Sequence, residues 1–165
     1  MPLGSTTSNP HGASRHLADG PLTVIGLGSN LGDRRAMIDA AVSAISSLPG
    51  VSLSGRSSFW QTAPVGASTP QPDYLNAAVA VSTSMPPEQL LRELLAIEAR
   101  LGRTRLERNA SRTIDLDILW RQGPPVHKSK PGWPDVDVPH PRLAERAFAM
   151  IPLLEIIPDA TDPRT

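Results

Sequence analysis

Apolar residues along the chain recur with two different spacings, and these spacings predict four strands and three helices. Alternation of apolar and polar positions is typical of a half-buried strand, whereas apolar residues three and four apart are typical of an amphipathic helix. The alternating segments are residues 22–27, 51–62, 74–83 and 111–120, and the helical segments are residues 32–50 and 86–102. Residues 141–156 suggest a short helix and a packed segment. Because helices follow some strands and hairpin-like connections follow others, we expect a mixed sheet covered by helices, an α+β sandwich.

Composition suggests where the ordered domain begins. Residues 1–20 are rich in Ser, Gly, Pro and Thr and carry few apolar side chains, so we expect a disordered leader. Residues 21–165 are enough for a single domain with its own core. Many of the 18 prolines cluster in residues 124–141, where we expect an extended loop with little regular structure.

The charge balance narrows the class of partner. Basic and acidic residues number 16 each, so nothing in the composition favours nucleic acid or an anionic membrane. Cysteine is absent, which excludes disulfides and thiolate ligands or nucleophiles. The apolar stretches are too short to cross a membrane, and no charged-then-apolar leader opens the chain. We expect a cytoplasmic monomer whose partners are small molecules.

The segment SRTIDLDILW, residues 111–120, places two carboxylates in an otherwise apolar strand. Period-two alternation turns Asp115 and Asp117 to the same face, roughly 6–7 Å apart along the strand. Their charges repel unless a cation lies between them, and hard carboxylate oxygens suit magnesium. The competing interpretation is a solvated outer face of the sheet, and the pair alone does not decide between the two.

A cluster of arginines precedes this strand. Its members are Arg100, Arg103, Arg105, Arg108 and Arg112. The planar guanidinium matches phosphate oxygens in a bidentate manner. A solvated basic loop is the alternative for the arginines taken alone. Beside a candidate magnesium site, however, they favour phosphoryl transfer, in which the protein positions the reactants and neutralises developing charge.

Two further groups of residues suit a nucleotide and a planar heterocycle. His140 lies between two prolines and is followed by Arg142 and Arg146, a pattern that suits a nucleotide contact and a purely structural histidine equally. At the ends of predicted strands, the amide of Asn76 suits the edge of a heterocycle, while Tyr74 or Phe148 suits its face, and Thr62 lies at the same loop.

The segment GLGSNLGD, residues 26–33, does not carry a nucleotide fingerprint. Its glycines have the spacing G-x-G-x-x-x-G, one residue too long for a dinucleotide site, and it lacks the Lys-Ser/Thr of a phosphate loop. We interpret it as a tight turn. A serine elbow motif is also missing, so a Ser-His-Asp nucleophile is not indicated.

The order of these motifs resembles that of the 6-hydroxymethyl-7,8-dihydropterin pyrophosphokinase family of folate biosynthesis. The segments that carry the resemblance are GLGSNLGD, SSFWQTAPVG, QPDYLNAAV, EARLGRTR, RNASRTIDLDIL and VPHPRLAERAFAMIPLLEI. They extend over about residues 22–159. The resemblance implies a ferredoxin-like α+β fold, with ATP as co-substrate donating its pyrophosphoryl group to the pterin and releasing AMP.

The resemblance also implies roles for individual residues. Asp115 and Asp117 would bind two magnesium ions, and Arg103 and Arg112 would stabilise the transferring group. The implied ATP contacts are Glu98, Arg105, Ile118, His140 and Arg146. The implied pterin contacts are Gly28, Thr62, Pro64, Val65, Tyr74, Asn76 and Phe148.

One departure from the family pattern concerns an aromatic residue. Many members have RWGPR where this chain has RNASR, so Asn109 replaces a tryptophan expected to cover the active site, and Trp133 is the candidate substitute. Two other hypotheses remain open from the sequence. One is a different two-metal phosphotransferase or nucleotidyltransferase, and the other is a non-catalytic pterin- or nucleotide-binding module.

Overall fold

The computed structural model describes residues 19–102 and 113–161. Seven strands and three α-helices lie in these ranges, together with a one-turn 3-10 helix at Leu143–Glu145. The strands are β1 (Leu22–Ser29), β2 (Ser52–Arg56), β3 (Trp60–Thr62), β4 (Tyr74–Ser82), β5 (Asp115–Arg121), β6 (Val126–Lys128) and β7 (Val136–Val138). The helices are α1 (Arg34–Ser46), α2 (Pro87–Arg100) and α3 (Ala147–Ile156).

The helix boundaries follow from local chemistry. The Asp33 carboxylate accepts a hydrogen bond from the Ala36 N–H at 3.0 Å and caps the start of α1. Proline at the first position of α2 has no N–H to leave unsatisfied there. After α2 ends, Gly102 has φ +85°, a left-handed conformation in which glycine avoids the strain of a side chain.

The principal sheet has the order β2-β4-β1-β5, and β3 also pairs with β4. Every pairing within it is antiparallel. The prediction of a mixed sheet was therefore wrong for the described strands, because each helical crossover joins strands that are not neighbours. Helix α1 connects β1 to β2 with β4 between them, and α2 connects β4 to β5 with β1 between them. This is the ferredoxin-like βαββαβ arrangement.

Helices cover both faces of the sheet, which confirms the predicted α+β sandwich. On one face, Ile25 and Val79 pack with Ile38 of α1 and Leu94 of α2. The residues of the other face include Val24, Ala78, Ala80 and Leu119, which pack with Ala149 and Leu153 of α3. The central strands therefore bury both faces. We call these the α1/α2 face and the α3 face.

The predicted strand at residues 51–62 is two strands, β2 and β3. Ser57 donates its N–H to the Ala78 carbonyl at 2.9 Å, but its side-chain Oγ accepts the Ala78 N–H at 2.8 Å. The hydroxyl thus takes the place of a backbone carbonyl in the ladder, and the chain leaves the sheet after it. Phe59 then packs against the α1/α2 core, with the guanidinium groups of Arg35 and Arg56 5.2 and 4.9 Å from its ring.

The proline-rich segment 124–141 carries more regular structure than predicted. Strands β6 and β7 form an antiparallel pair within it, with Val126 opposite Val138. Val136 and Val138 are buried in the α1/α2 core, which explains why a segment rich in proline is ordered here. Within the described ranges, no helix is long and apolar enough to span a membrane.

Candidate active site

A pocket of about 460 Å³ opens on the α3 face of the sheet. Its floor is formed by β1, β4 and β5. One wall is the loop after β3, and the opposite wall is the 3-10 helix with the first turn of α3. The two aspartates of β5 line this pocket, so their face of the sheet is not an open solvated surface.

The strand register sets functional side chains next to one another on the pocket floor. Gly28 of β1 is opposite Asn76 of β4 on one side and Asp115 of β5 on the other. In the next row of the same face, Gly26 lies opposite Asp117. The amide therefore lies on one side of a strip of glycine backbone in β1, and the two carboxylates lie on the other side.

The glycines of β1 have no side chains, so they leave space on the pocket floor between the amide and the carboxylates. A Cβ at Gly28 would lie 3.2 Å from the Asn76 Oδ1 atom and 3.6 Å from the Tyr74 ring. A Cβ at Gly26 would lie 3.0 Å from the Leu119 side chain. Neither glycine has a positive φ, so the reason for glycine here is space above the strand and not backbone conformation.

Asn76 organises one end of the pocket. Its Nδ2 donates to the Thr62 Oγ1 at 2.7 Å and to the Trp60 carbonyl at 3.5 Å. Since a carbonyl can only accept, the amide nitrogen faces β3 and the Oδ1 atom faces Gly28. The Tyr74 ring lies next to Gly28 and gives this end aromatic surface beside the fixed amide, and Phe148 also lines the pocket. We call it the amide end.

The opposite end of the pocket is charged. Asp115 and Asp117 are half-buried on its floor, and Arg142 and Arg146 line its wall. Arg142 pairs with Glu145 at 3.1 Å, and the Arg146 guanidinium lies 5.7 Å from the Phe148 ring centroid. We call this the charged end. Its carboxylates and guanidinium groups suit a polyanion bound with a metal ion.

His140 stands at the charged end as a neutral imidazole. Burial lowers its pKa, and the positive charge of Arg146 lowers the pKa further, whereas the negative charge of Asp115 opposes this. The Arg142 N–H donates to the Nδ1 atom at 3.2 Å, so the ring carries its proton on Nε2. The His140 N–H in turn donates to the Leu119 carbonyl at 2.9 Å, which holds this segment against β5.

The donor set fits a magnesium ion that is completed by a ligand. Among the described residues, no three His, Cys, Asp or Glu side chains gather into a metal cage. Asp115 and Asp117 supply two carboxylates on the same face of β5. Magnesium is commonly held by one or two carboxylates while phosphate oxygens and water fill the other positions. The site therefore suits a metal that arrives with a phosphorylated ligand.

Most described residues that the sequence indicated as functional line this one pocket. They are Gly28, Thr62, Pro64, Val65, Tyr74, Asn76, Asp115, Asp117, His140, Arg146 and Phe148. The predicted site residues Arg103, Arg105 and Arg112, and the substituted position Asn109, lie outside the described residues.

Glu98 and Ile118 do not line the pocket. Glu98 is 2% exposed, and its Oε1 atom accepts the Leu116 N–H at 2.8 Å. Ile118 packs in the core of the α1/α2 face. Their assignment as ATP contacts stays a prediction. Trp133, the candidate substitute for a covering aromatic, does not line the described pocket; the Arg92 guanidinium lies 4.9 Å and the Lys130 Nζ 5.7 Å from its ring centroid, and its covering role stays a prediction.

The pocket also contains residues that the sequence analysis did not select. Gly26 and Leu119 continue the period-two pattern of Gly28 and of the two aspartates, so alternation alone places them on this face. Neither has a side chain that suggests chemistry, and they were missed for that reason. Arg142, which follows His140 in the candidate nucleotide-contact pattern, also lines the pocket.

Comparison with known proteins agrees with the resemblance found in the motifs. The family model for 7,8-dihydro-6-hydroxymethylpterin-pyrophosphokinase matches residues 24–158. Proteins named 2-amino-4-hydroxy-6-hydroxymethyldihydropteridine pyrophosphokinase are among the relatives. The one from Methylorubrum extorquens is 43% identical over 135 residues, which is 82% of this chain and 82% of its own length.

Two further relatives bear the same name. The protein from Haemophilus influenzae is 38% identical and covers 86% of this chain and 84% of its own length. The protein from Bacillus subtilis is 40% identical and covers 82% of this chain and 77% of its own length. The chain belongs to the 7,8-dihydro-6-hydroxymethylpterin-pyrophosphokinase family.

Proposed function

We propose that the pocket on the α3 face is where this ATP-dependent pyrophosphokinase of folate biosynthesis carries out its reaction. The hydroxymethyl oxygen of 6-hydroxymethyl-7,8-dihydropterin forms a bond to the β-phosphorus of ATP. The bond from that phosphorus to the α,β-bridging oxygen breaks, and AMP leaves with the electron pair. The hydroxyl proton is lost to solvent or base. The products are AMP and the pterin diphosphate.

The observation that carries this proposal is the row formed by Asn76, Gly28 and Asp115. It sets an amide that suits a heterocycle beside a carboxylate that suits a metal-bound phosphate, with only glycine backbone between them. Two substrates bound at the amide end and the charged end would meet over this strip. Catalysis then consists mainly of bringing the hydroxyl oxygen in line with the phosphorus.

Asp115 and Asp117 are the residues that would hold two magnesium ions. Bound there, the ions would neutralise negative charge on the triphosphate and on the leaving AMP. The described cations of the charged end act in the same direction. Arg146 contributes positive charge from the wall, and the Nε2–H of neutral His140 is a hydrogen-bond donor for a phosphate oxygen. Arg103 and Arg112 stay predicted stabilisers of the transferring group.

Product analysis tests the reaction. Purified protein with ATP, magnesium and the reduced pterin is expected to release AMP in step with the pterin diphosphate. ADP or free pyrophosphate would instead indicate another phosphotransferase or nucleotidyltransferase, and binding of both ligands without turnover would indicate a binding module. The described pocket is lined by residues between Gly26 and Ala149, all within the single catalytic domain that we propose at residues 21–165.

The substitution Asp117→Asn tests the assignment of Asp117 as a metal ligand. The amide keeps the shape of the side chain but loses the charge that holds the metal. We expect kcat to fall by roughly 10²-fold or more, by analogy with the loss of a charge-stabilising group, while the melting temperature is kept or raised because repulsion from Asp115 is relieved. Asp159→Asn, at an exposed position after α3, is the control. An unchanged magnesium dependence of the rate in Asp117→Asn would contradict the assignment.

A further inference from the structure

Glu155, near the end of α3, accepts three hydrogen bonds, two from Ser58 between β2 and β3 and one from Trp60, the first residue of β3. Its Oε1 atom accepts the Ser58 N–H at 2.8 Å and the Ser58 hydroxyl at 2.6 Å. Its Oε2 atom accepts the Trp60 indole N–H at 3.0 Å. These bonds, with Ser58 first, lower the pKa of the Glu155 carboxyl. The Glu155 carboxylate therefore binds the chain where the strand is interrupted between β2 and β3.

At this interruption between β2 and β3, the sheet itself provides few interactions that hold β3 in place. Strand β3 has three residues, lies off the main path of the sheet and pairs only with β4 among the described strands. Ser57 has already replaced a backbone carbonyl in the ladder by its hydroxyl. Glu155 therefore holds β3 from the α3 side, on the side opposite Phe59, which packs into the α1/α2 core.

Strand β3 in turn sets the orientation of Asn76. The Trp60 carbonyl and the Thr62 hydroxyl both accept from the Asn76 Nδ2 atom, and this leaves the Oδ1 atom facing Gly28 and the pocket. A rotation or slip of β3 would move both acceptors. Glu155 itself does not line the pocket, because it lies eight residues and about 12 Å along the helix from Ala147.

We propose that Glu155 is a positioning residue for the pterin: its carboxylate fixes β3 so that Asn76 presents its carbonyl oxygen to the heterocycle. This inference rests on the proposed function for the identity of the ligand. Helix α3 then serves the site twice, since its first turn forms the pocket wall and its last turn holds the strand that orients the amide.

The first experiment compares Glu155→Ala with Glu93→Ala, the same change on α2 at the α1/α2 face. The three bonds are exposed to solvent, so little stability is lost with them. We expect the KM for the pterin to rise about tenfold through the misplaced amide, with kcat and the KM for ATP within about twofold. A purely structural role would instead lower kcat through loss of folded enzyme and leave both KM values unchanged, and that result would overturn the proposal.

A second variant pair tests the geometry of the bonds. In Glu155→Gln, the amide oxygen can still accept both Ser58 donors, but its NH₂ group then opposes the Trp60 indole N–H. Adding Trp60→Phe removes the opposed donor, so the double variant is expected to recover most of the pterin KM that Glu155→Gln loses. Trp60→Phe alone removes one bond and is expected to raise that KM slightly. If the effects of Glu155→Gln and Trp60→Phe on the pterin KM were simply additive in free energy in the double variant, this arrangement of bonds would be contradicted.

The side-chain amide resonances of Asn76 give a readout that does not depend on turnover. They are assigned by their loss in Asn76→Asp, and they are expected to shift in Glu155→Ala and to stay in place in Glu93→Ala. Unmoved resonances would overturn the positioning role even in an active enzyme. If the wild-type protein made no pterin diphosphate, the proposed function would fail, and these resonances would still decide whether Glu155 orients Asn76.

Discussion

At the scale of single residues, the pocket depends on the absence of a side chain at glycine positions. Gly28 lies between the amide of Asn76 and the carboxylate of Asp115, and a methyl group there would come within 3.2 Å of the Asn76 Oδ1 atom. Because the backbone of Gly28 is not left-handed, alanine fits the strand itself. The conflict is confined to the side of the strand on which ligand would lie.

We therefore expect Gly28→Ala to impair binding more than folding. The KM for the pterin should rise by roughly tenfold, about 1.4 kcal/mol, while the free energy of unfolding changes by less than about 1 kcal/mol, since alanine also removes chain entropy from the unfolded state. Gly55→Ala is a matched control on the α3 face, where the added Cβ would lie at the same 3.2 Å from the Ile156 Cγ2 atom. A comparable rise in the pterin KM in both variants would show that the effect comes from a general loosening of the structure and not from the pocket.

Residue chemistry was the part of the site most accessible from the sequence. Paired carboxylates and a histidine between prolines followed by two arginines each carry a chemical signal, and these residues lie at the charged end. Arg100 of the arginine cluster instead lies beside α1, outside this pocket. Gly26 and Leu119 carry no such signal, because their contribution is the space or the apolar surface that they provide. The bonds of Glu155 could not be foreseen either, since they join residues 95 and 97 positions apart.

At the scale of elements, the loop between β3 and β4 is attached to the turn after β1. Asn30 is 1% exposed, and its Nδ2 atom donates to the Gln71 Oε1 and to the Pro72 carbonyl, both at 3.2 Å. Arg34, at the start of α1, donates to the Asp73 carbonyl at 2.7 Å. The tight-turn interpretation of residues 26–33 was wrong for residues 26–29, which belong to β1, and the turn that follows holds the pocket wall through Asn30.

Asn30→Asp is expected to release this loop. The carboxylate would face two acceptors with no proton to donate, and a buried polar group left without its bond costs about 1–3 kcal/mol. Hydrogen exchange of residues 63–73 should become faster, and the free energy of unfolding should fall by an amount in that range. Gln89→Glu makes the same amide-to-acid change at an exposed position of α2. Loop exchange that does not respond to Asn30→Asp would show that the anchor lies elsewhere.

The elements themselves were predictable to different degrees. Long periodic segments gave α1, α2 and β4 close to their observed bounds. The break between β2 and β3 was not predictable from alternation, because the pattern continues through Ser57 while its hydroxyl replaces a backbone carbonyl. The β6–β7 pair was obscured by its prolines, and it is ordered by two valines buried in a core formed from distant residues.

At the scale of the whole molecule, the α+β sandwich followed from the order of strands and helices, but strand direction did not. A helical crossover predicts parallel strands, and it does not specify whether another strand is inserted between them. Here β4 and β1 are inserted, so each neighbouring pair is antiparallel. The pocket results from this topology, since β1 lies between the strand that carries Asn76 and the strand that carries the aspartates.

The dependence of overall stability on pH can be predicted from the three described acidic or imidazole groups whose pKa values are lowered. Burial lowers the pKa of His140 below its ordinary 6.5, so the unfolded chain binds a proton there before the folded chain does. Stability is therefore full above about pH 6.5 and falls as the pH drops from 6.5 towards the folded pKa. A second decline follows below pH 4.5, because Lys128 lowers the pKa of Glu88 and Ser58 lowers that of Glu155.

Thermal unfolding of the metal-free protein between pH 8 and pH 5 checks the first decline. In His140→Asn, the Asn oxygen can still accept the Arg142 N–H in place of Nδ1, but no group titrates, so the melting temperature should vary less over this range than in the wild type. His127→Asn removes an imidazole whose side chain is 79% exposed on β6, and it should keep the wild-type slope. A slope that persists in His140→Asn would mean that another group is responsible. The neutral imidazole at the charged end would then have no measurable effect on stability, and its role would be confined to the bound phosphate.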